Sequence, residues 1–353
     1  AARARPAGAP PRMGAGERAG ELFPRWCRIL AVGEGDFAFS EALATPARLG
    51  AGGGALTATA LDTEEEVVAK YAVGRERLAR LREAGAEVAF GVDAERLGRA
   101  GCPLEGVEPF DRVVFNFPLL PERRACECGS GATDMQVANR MMLAEFLRAA
   151  PAVLRPGGLV AIASKDCFPY SWWRIEALPL WAGGELRLAG VVPWQLTEYP
   201  SLYRGPCNVN RDKAVKPTDA TIFVFSRDGA AAGLGPLRTL AEHRGAARRC
   251  RQAGGTAWSC ELCGVWGLSS AADLEAHDAG KIHRKRVLLE ERWEAARARG
   301  PRAPERPVVA AAARGSCCHC LAGITALCAG ACGALGRAPG APAAAAETAG
   351  GKK

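Results

Sequence analysis

The chain has 353 residues, of which 48% are hydrophobic, so it is long enough for two domains and apolar enough for a substantial core. The sequence contains no run of about 18 apolar residues, which argues against a membrane-spanning helix. The 14 cysteines lie in a chain too long for a small disulfide-stapled fold, and no secretory signal precedes them, so we expect a reducing, intracellular compartment. The formal net charge of +8 is modest, but basic residues cluster between 281 and 302, which favours a polyanionic partner.

Strands and helices alternate through the first part of the chain. Helices are predicted at 63–85 and 139–154, and buried strands at 27–33, 55–62, 86–94, 110–118, 159–166, 186–192 and 220–226. Thr63 is the predicted N-cap of the first of these helices, with glutamates in its first turn. The alternation predicts an α/β fold with a Rossmann-like, doubly wound and mainly parallel sheet covered on both faces.

The rest of the chain divides by composition. We expect a disordered arm at 1–24, with an organelle transit segment as the alternative, and a first domain at 25–228. A linker is predicted at 229–255, a compact motif followed by a long polar helix at 256–300, and a disordered low-complexity tail at 301–353.

A glycine-rich turn follows the first predicted strand. Gly33 and Gly35 would let the backbone approach a ligand closely at a helix N-terminus, although a purely structural turn is the alternative. Glu34 and Asp36 suit the cationic end of S-adenosylmethionine, whereas they would repel a pyrophosphate. The first domain also has no histidine before His243 to serve a hydride site, so a nicotinamide oxidoreductase is disfavoured.

Polar residues also end the next three strands. Asp62 is placed to accept from ribose hydroxyls and Asp93 from an adenine amino group, although helix caps or loop acids are the alternative for each. Asn116, Phe117 and Pro118 end the fourth strand, where the crevice of a doubly wound fold faces the substrate. Asn116 offers a donor and an acceptor to a flat heterocycle and Phe117 a stacking face. The alternative is an ordinary strand end.

The motifs VGEGDFAFSEAL, LDTEEEVVAKY, GAEVAFGVDA, FDRVVFNFP, NRMMLAEFLRAA, LRPGG and YPSLYR, in that order, resemble the eukaryotic 25S rRNA uridine-N3 methyltransferase-like family over residues 28–226. The resemblance implies a class I methyltransferase that uses S-adenosylmethionine to methylate N3 of a uridine in large-subunit rRNA. It further implies that the glycine-rich turn, Asp62 and Asp93 bind the cofactor and that Asn116, Phe117 and Pro118 meet the base. Lys165 would act beside them, and Tyr199 and Tyr203 would line the RNA side.

Two segments depart from the family pattern near the expected substrate side. They are the Gly-rich insertion CECGSGATDM at 126–135 and the strand end Ser164-Lys165-Asp166-Cys167. Uridine N3 must lose a proton, and Asp166, Glu198 and bulk water are all open as its acceptor. The identity of the substrate depends on these segments more than cofactor binding does.

A metal-ligand pattern follows the linker. Cys260, Cys263, His277 and His283 form C-x2-C-x13-H-x5-H, close to the spacing of a two-Cys two-His zinc finger of ββα type, with four unrelated residues as the alternative. Histidines six residues apart do not share a helix face, so the helix must loosen between them, which Gly280 permits. A second cluster between Cys317 and Cys332 matches no zinc spacing.

The string LEAHDAGKIHRKR is similar to the matrin-type and double-stranded-RNA-binding zinc fingers. That resemblance implies recognition of RNA shape, with Lys281, Arg284, Lys285 and Arg286 facing phosphates. A protein-contacting finger and a merely solvated basic helix face are the alternatives.

Together these features predict a monomeric RNA methyltransferase that requires S-adenosylmethionine and zinc and acts on ribosomal RNA without a membrane partner. The nucleolus or nucleus is the expected site, with the cytoplasm and an organelle left open. The second hypothesis is a non-catalytic RNA-binding zinc-finger protein on a methyltransferase-like fold.

Overall fold

A computed structural model describes residues 22–50, 54–120, 132–165, 167–193, 220–231, 234, 237, 239, 258–260 and 262–299. Several predicted features lie outside these residues, namely Asp166, Glu198, Tyr199, Tyr203, the Cys317–Cys332 cluster and the tail. Within the described part of the chain, no helix is long and apolar enough to cross a membrane.

A seven-stranded sheet forms the centre of the first domain, in the order β3-β2-β1-β4-β5-β7-β6. Strands β1 to β5 pair in parallel, and β7 pairs antiparallel with both β5 and β6. The predicted α/β fold with a mainly parallel sheet is confirmed. The strands are β1 Arg28–Val32, β2 Ala55–Thr59, β3 Glu87–Ala89, β4 Phe110–Asn116, β5 Leu154–Lys165, β6 Arg187–Pro193 and β7 Ala220–Ser226.

Helices connect the parallel strands. The helices are α1 Ala38–Leu43, α2 Pro46–Leu49, α3 Glu64–Lys70, α4 Gly74–Glu83 and α5 Ala132–Ala149, and short 3₁₀ turns lie at Ala94–Arg96, Ala150–Val153, Tyr170–Trp173 and Ile175–Leu180. Thr63 is the N-cap of α3, as predicted: its side chain accepts from the Glu66 amide, and the Glu66 carboxylate accepts from the Thr63 amide. The predicted helix at 63–85 is two helices, because the backbone at Tyr71 is extended.

The second described segment has the ββα order expected of a finger. Strands β8 Trp258–Cys260 and β9 Val265–Leu268 pair antiparallel, and helices α6 Ala271–Asp278 and α7 Lys281–Ala298 follow. We call these four elements the finger segment. The chain is helical on both sides of Gly280, whose extended backbone separates the two helices and begins α7.

The first domain begins earlier than its composition suggests. Leu22 and Phe23 are buried, although the sequence placed them in a disordered arm. Their backbone carbonyls accept hydrogen bonds from two buried guanidinium groups: Leu22 from Arg112 and Phe23 from Arg48. Buried arginines need such acceptors, and these come from residues distant in sequence.

Helix α7 is part of the main core and not merely a polar helix. Its inner face carries Leu289 and Trp293, both fully buried against the same cluster as α5 and one face of the sheet. The described residues from 22 to 299 all belong to one compact unit. In the predicted linker, Ala231, Leu234 and Leu237 pack partly buried against the other face, because these apolar side chains are removed from water there.

A buried arginine joins α5 to α7. The Arg140 guanidinium lies 4.3 to 4.7 Å from the ring centres of three tryptophans, which we call the tryptophan cage: Trp172, Trp181 and Trp293. Its Nη1 lies 3.4 Å from the Glu290 carboxylate of α7. Burial lowers the pKa of Arg140 to about 10, so the group is still a cation at neutral pH, and cation–π contacts are strong where water is excluded.

The burial of Trp293 predicts a large effect of truncation. Trp293→Ala should lower the free energy of unfolding by about 3–5 kcal/mol, because it leaves a cavity and opens one side of the cage. Trp258→Ala is the matched control, since Trp258 is 40% exposed, and we expect a change within about 0.5 kcal/mol. Urea denaturation followed by circular dichroism measures both, and equal losses would contradict the docking of α7.

Candidate active site

The sheet order reverses between β1 and β4, which opens a crevice at the carboxyl ends of these two strands. Their register pairs Val32 with Phe115. The residues that follow, Gly33 on one strand and Asn116 on the other, therefore begin the two walls of the crevice. The carboxyl ends of β2, β3 and β5 meet the same edge.

The glycine turn, residues 33–37, is tightly enclosed. Gly33 has a φ of +66°, and a Cβ there would lie 2.5 Å from Cε2 of the Phe115 ring. A Cβ on Gly35 would lie 2.6 Å from the Tyr71 hydroxyl. The turn therefore requires a glycine at position 33, whereas a side chain at position 35 would have to displace the Tyr71 hydroxyl.

Asp36 lies at the start of α1. Its carboxylate pairs with Arg77 of α4 and accepts from the amide of Ala38 at 3.1 Å. The Arg77 side chain also bonds Glu41 at 3.0 Å. The structure thus gives Asp36 a role in holding α4 against α1, and its predicted contact with a cofactor stays a prediction.

The carboxyl group of Glu34 has a pKa close to neutral pH. Its carboxylate accepts a hydrogen bond from the Ser40 amide at 3.2 Å. Burial raises the pKa of Glu34 to about 7, and the negative charge of Asp36 adds to this effect. A cation in the crevice would favour the ionised form.

The two acids beyond β2 and β3 lie on neighbouring loops. The Asp62 carboxylate is 2.6 Å from Nζ of Lys70. The Asp93 carboxylate accepts from the Glu95 amide at 3.0 Å and caps a 3₁₀ turn. The backbone joins the loops, because the Gly91 amide donates to the Asp62 carbonyl at 3.4 Å. The sequence placed both acids at strand ends, but β2 ends at Thr59 and β3 at Ala89, so both acids lie on the loops that follow these strands.

The end of β4 carries a buried side-chain donor on Asn116, and the strained residue Phe117 follows it. Phe117 has a φ of +47°, a left-handed conformation that costs energy for a side chain of this size. Its amide donates to the Ala163 carbonyl of β5 at 2.8 Å. The Asn116 Nδ2 is buried and has no hydrogen-bond partner among the residues that the structure describes. Such a group costs about 1–3 kcal/mol, which is recovered if a ligand accepts from it.

The remaining predicted residues of this site differ in burial. Pro118 is buried directly after the strained Phe117. Lys165 ends β5, half-buried, opposite Ala220 of β7. Pro118 follows Asn116 by two residues in the chain, and Lys165 ends the strand that pairs with β4.

The four predicted metal ligands come together in the finger segment. The ligand atoms of Cys260, Cys263, His277 and His283 all lie within 4.8 Å of one another. The Nδ1 of His283 is 3.4 Å from the Cys260 sulfur and 3.7 Å from the Cys263 sulfur. A tetrahedral zinc site with ordinary bond lengths has sulfur-to-nitrogen edges of about 3.5 Å. In the described part of the chain the buried Nε2 of His277 has no hydrogen-bond partner, which fits a nitrogen that binds a metal.

The basic residues of α7 divide into two groups. Lys281, Arg284 and Lys285 are exposed, and we call them the basic turn. Arg286 is half-buried: its guanidinium lies 4.7 Å from the ring centre of Phe168, and its Nη1 donates to the Leu262 carbonyl at 3.2 Å. The expected phosphate contact of Arg286 thus stays a prediction, while its protein contacts are defined.

Sequence reasoning did not find Arg77, Tyr71 or Phe168 near these sites. Each lies far in the chain from its partner, and no motif links the two. Two signals were available in the sequence: Tyr71 ends the motif LDTEEEVVAKY, and Phe168 directly follows an unusual strand end.

The fold and the crevice define a Rossmann-like cofactor-binding domain of the methyltransferase class. The sequence model of the BMT5-like family, described as rRNA (uridine-N3-)-methyltransferase BTM5-like, matches residues 30–204. An uncharacterized protein of Arabidopsis thaliana is 31% identical over 219 residues, which cover 59% of this chain and 99% of that protein. The chain belongs to the BMT5-like family.

Other similarities cover smaller shares. Heavy metal-associated isoprenylated plant protein 41 of Arabidopsis thaliana is 35% identical over 151 residues, which are 43% of this chain and only 28% of that protein. The crystal structure of TrmN from Thermus thermophilus is similar with a TM-score of 0.33 and 19% identity, covering 57% of this chain and 44% of that one.

Proposed function

We propose that this protein is an S-adenosylmethionine-dependent RNA methyltransferase that methylates N3 of a uridine in large-subunit rRNA. The observation that carries the proposal is the buried Asn116 amide at the crevice edge, which has no partner among the described residues, in a chain of the BMT5-like family. A nucleobase carbonyl is the kind of acceptor that this amide lacks. Action on ribosomal RNA also favours the nucleolus or nucleus as the site of function.

The crevice residues fit the proposed cofactor. The crowded glycine turn brings backbone close enough to contact a ligand, and Glu34 offers a carboxylate that a cation would ionise. Asp62 would accept from the ribose hydroxyls and Asp93 from the adenine amino group. When bound, S-adenosylmethionine supplies the electrophilic methyl group.

The chain's own residues hold the base and manage its charge. Asn116 donates to a uracil carbonyl, and Phe117, with Pro118 stiffening the strand end, limits how the ring can tilt. Loss of the N3 proton leaves negative charge spread over the uracil oxygens. Lys165 on the adjacent strand stabilises that charge, as preorganised cations do. The acceptor of the proton is Asp166, Glu198 or water, and both carboxylates lie outside the described residues.

Two substitutions separate cofactor binding from base binding. Asp62→Ala should weaken S-adenosylmethionine binding about 10- to 100-fold, because it removes charge-assisted hydrogen bonds. Asn116→Ala should leave that affinity unchanged and abolish methyl transfer. Isothermal calorimetry measures the affinity, and transfer of labelled methyl to RNA measures turnover.

The matched control is Glu65→Ala, which removes an exposed carboxylate from helix α3 near Asp62. It should change neither quantity. A wild-type protein that binds no S-adenosylmethionine would favour the non-catalytic RNA-binding hypothesis, and a fully active Asn116→Ala variant would remove Asn116 from the site.

The raised pKa of Glu34, about 7, predicts a pH dependence. Below this pH the carboxyl is neutral, and binding of the cationic cofactor must release its proton. The apparent affinity should therefore fall roughly tenfold per pH unit below the pKa and level off above it. Calorimetry across this range measures the effect, and Glu34→Gln should flatten it. A profile that is the same in both proteins would show that another group titrates.

We further propose that Cys260, Cys263, His277 and His283 bind one zinc ion. The sulfur-to-nitrogen distances and the unpartnered His277 nitrogen support this ligand set. The helix break at Gly280 supports it too, because it lets two histidines six residues apart face one point.

Zinc content tests the site. Wild-type protein should hold one zinc per chain by elemental analysis, and Cys263→Ser should lose it and melt at a lower temperature, since bound metal stabilises only the folded state. Cys167→Ser is the control, because Cys167 is an exposed cysteine outside the cluster. Equal zinc in all three proteins would disprove the ligand set.

A further inference from the structure

The finger segment contacts Phe168, which lies three residues beyond Lys165, the last residue of β5. Phe168 follows Lys165 by three residues, so their Cα atoms are at most about 11 Å apart. Arg286 of α7 lies over the Phe168 ring at 4.7 Å and donates to the Leu262 carbonyl, between the two cysteines. The loop between Cys260 and Cys263, the first turns of α7 and Phe168 therefore meet, and we call this contact the junction.

The other half of α7 is clamped to the first domain. Trp293 lies 4.8 Å from Trp181, centre to centre, and both rings face the buried Arg140 cation. Moving α7 away would expose Leu289 and Trp293 to water and leave Arg140 with an open cage. Burial of two such side chains is worth several kcal/mol. The finger segment is thus fixed against the first domain through α7.

The exposed surface at the junction suits a nucleic acid strand. The basic turn presents three cations to solvent, and Phe168, which contacts the neighbouring Arg286, is 38% exposed. Cations beside an exposed aromatic are the combination that binds a single-stranded backbone and stacks its bases. The adjacent helix α6 also carries Asp273, Glu275 and Asp278, and the Asp278 carboxylate lies 3.2 Å from Nδ1 of His283.

We propose that the basic turn and Phe168 form, with the crevice, one continuous RNA-binding surface, so that the finger segment binds the same RNA strand whose uridine enters the crevice of its own chain. This proposal rests on the proposed methyltransferase function. The basic turn contacts phosphates beside the target nucleotide, and Phe168 stacks a flanking base. An acidic protein is disfavoured as the partner because an exposed aromatic beside cations suits the stacking of a base.

Matched charge reversals on α7 test the basic turn. Lys285→Glu should weaken binding of a fluorescein-labelled RNA hairpin with a uridine in its loop about five- to tenfold and lower the salt slope by about one. Arg299→Glu makes the same charge change about 21 Å further along the helix and should have little effect. Fluorescence anisotropy measures both. Equal losses, or none, would overturn the proposal.

Phe168 is tested by truncation and rescue. Phe168→Ala should raise the KM for RNA several-fold with kcat unchanged, and Phe168→Trp should restore it, because any large aromatic provides a stacking face. Unchanged S-adenosylmethionine affinity shows that both variants are folded. An unaltered KM in Phe168→Ala, or a loss that Phe168→Trp does not restore, would remove Phe168 from the RNA surface.

Mixing two defective chains tests whether the finger segment serves its own crevice. Asn116→Ala lacks the base contact and Lys285→Glu lacks the phosphate contact. Action within one chain predicts that the mixture is no more active than Lys285→Glu alone, and recovery of activity would overturn that assignment. Wild-type protein without methyl transfer would instead refute the proposed function, which separates the two failures.

Discussion

The parallel pairing of β1 with β4 is the constraint on which the site depends. Its register places Gly33 beside the Phe115 ring, so the glycine turn can exist only without a Cβ at that point. The same pairing ends β4 at Asn116, across the crevice from the turn. Because the sheet order reverses here, a crevice opens between the segments that follow β1 and β4. The cofactor wall and the base wall of the crevice are thus consequences of one pair of strands.

The buried charges on the two sides of the sheet are compensated in different ways. Asp36 is neutralised by Arg77, and the pair holds α4 against the turn. Burial raises the pKa of Glu34 to about 7, so that a cationic ligand would change its charge. Arg140, on the far side of the sheet, is stabilised by ring faces and Glu290. A buried charge costs several kcal/mol unless it is compensated, so each arrangement restricts how the neighbouring helices can move.

Helix α7 belongs to two structures at once. Its first residues, after the break at Gly280, contribute His283 to the metal cluster and the basic turn to the surface. Its later residues complete the tryptophan cage. Because α7 is one continuous helix, the packing of its second half against α5 also holds the basic turn near the end of β5. This physical link is the reason to treat the proposed zinc site and the crevice as parts of a single substrate surface.

The sequence by itself determined the order of strands and helices, the capping of α3 by Thr63 and the spacing of the metal ligands, because each depends on residues within a few turns of one another. It also placed Asn116 at the end of a strand, whereas Asp62 and Asp93 lie on the loops beyond their strands. Only the tertiary structure decided that Leu22 and Phe23 are core residues, that α7 is buried on one face, and that Phe168 lies under Arg286. These contacts join residues that are far apart in the chain, and a polar-looking helix with a few apolar positions carries no local sign of the surface that will cover it.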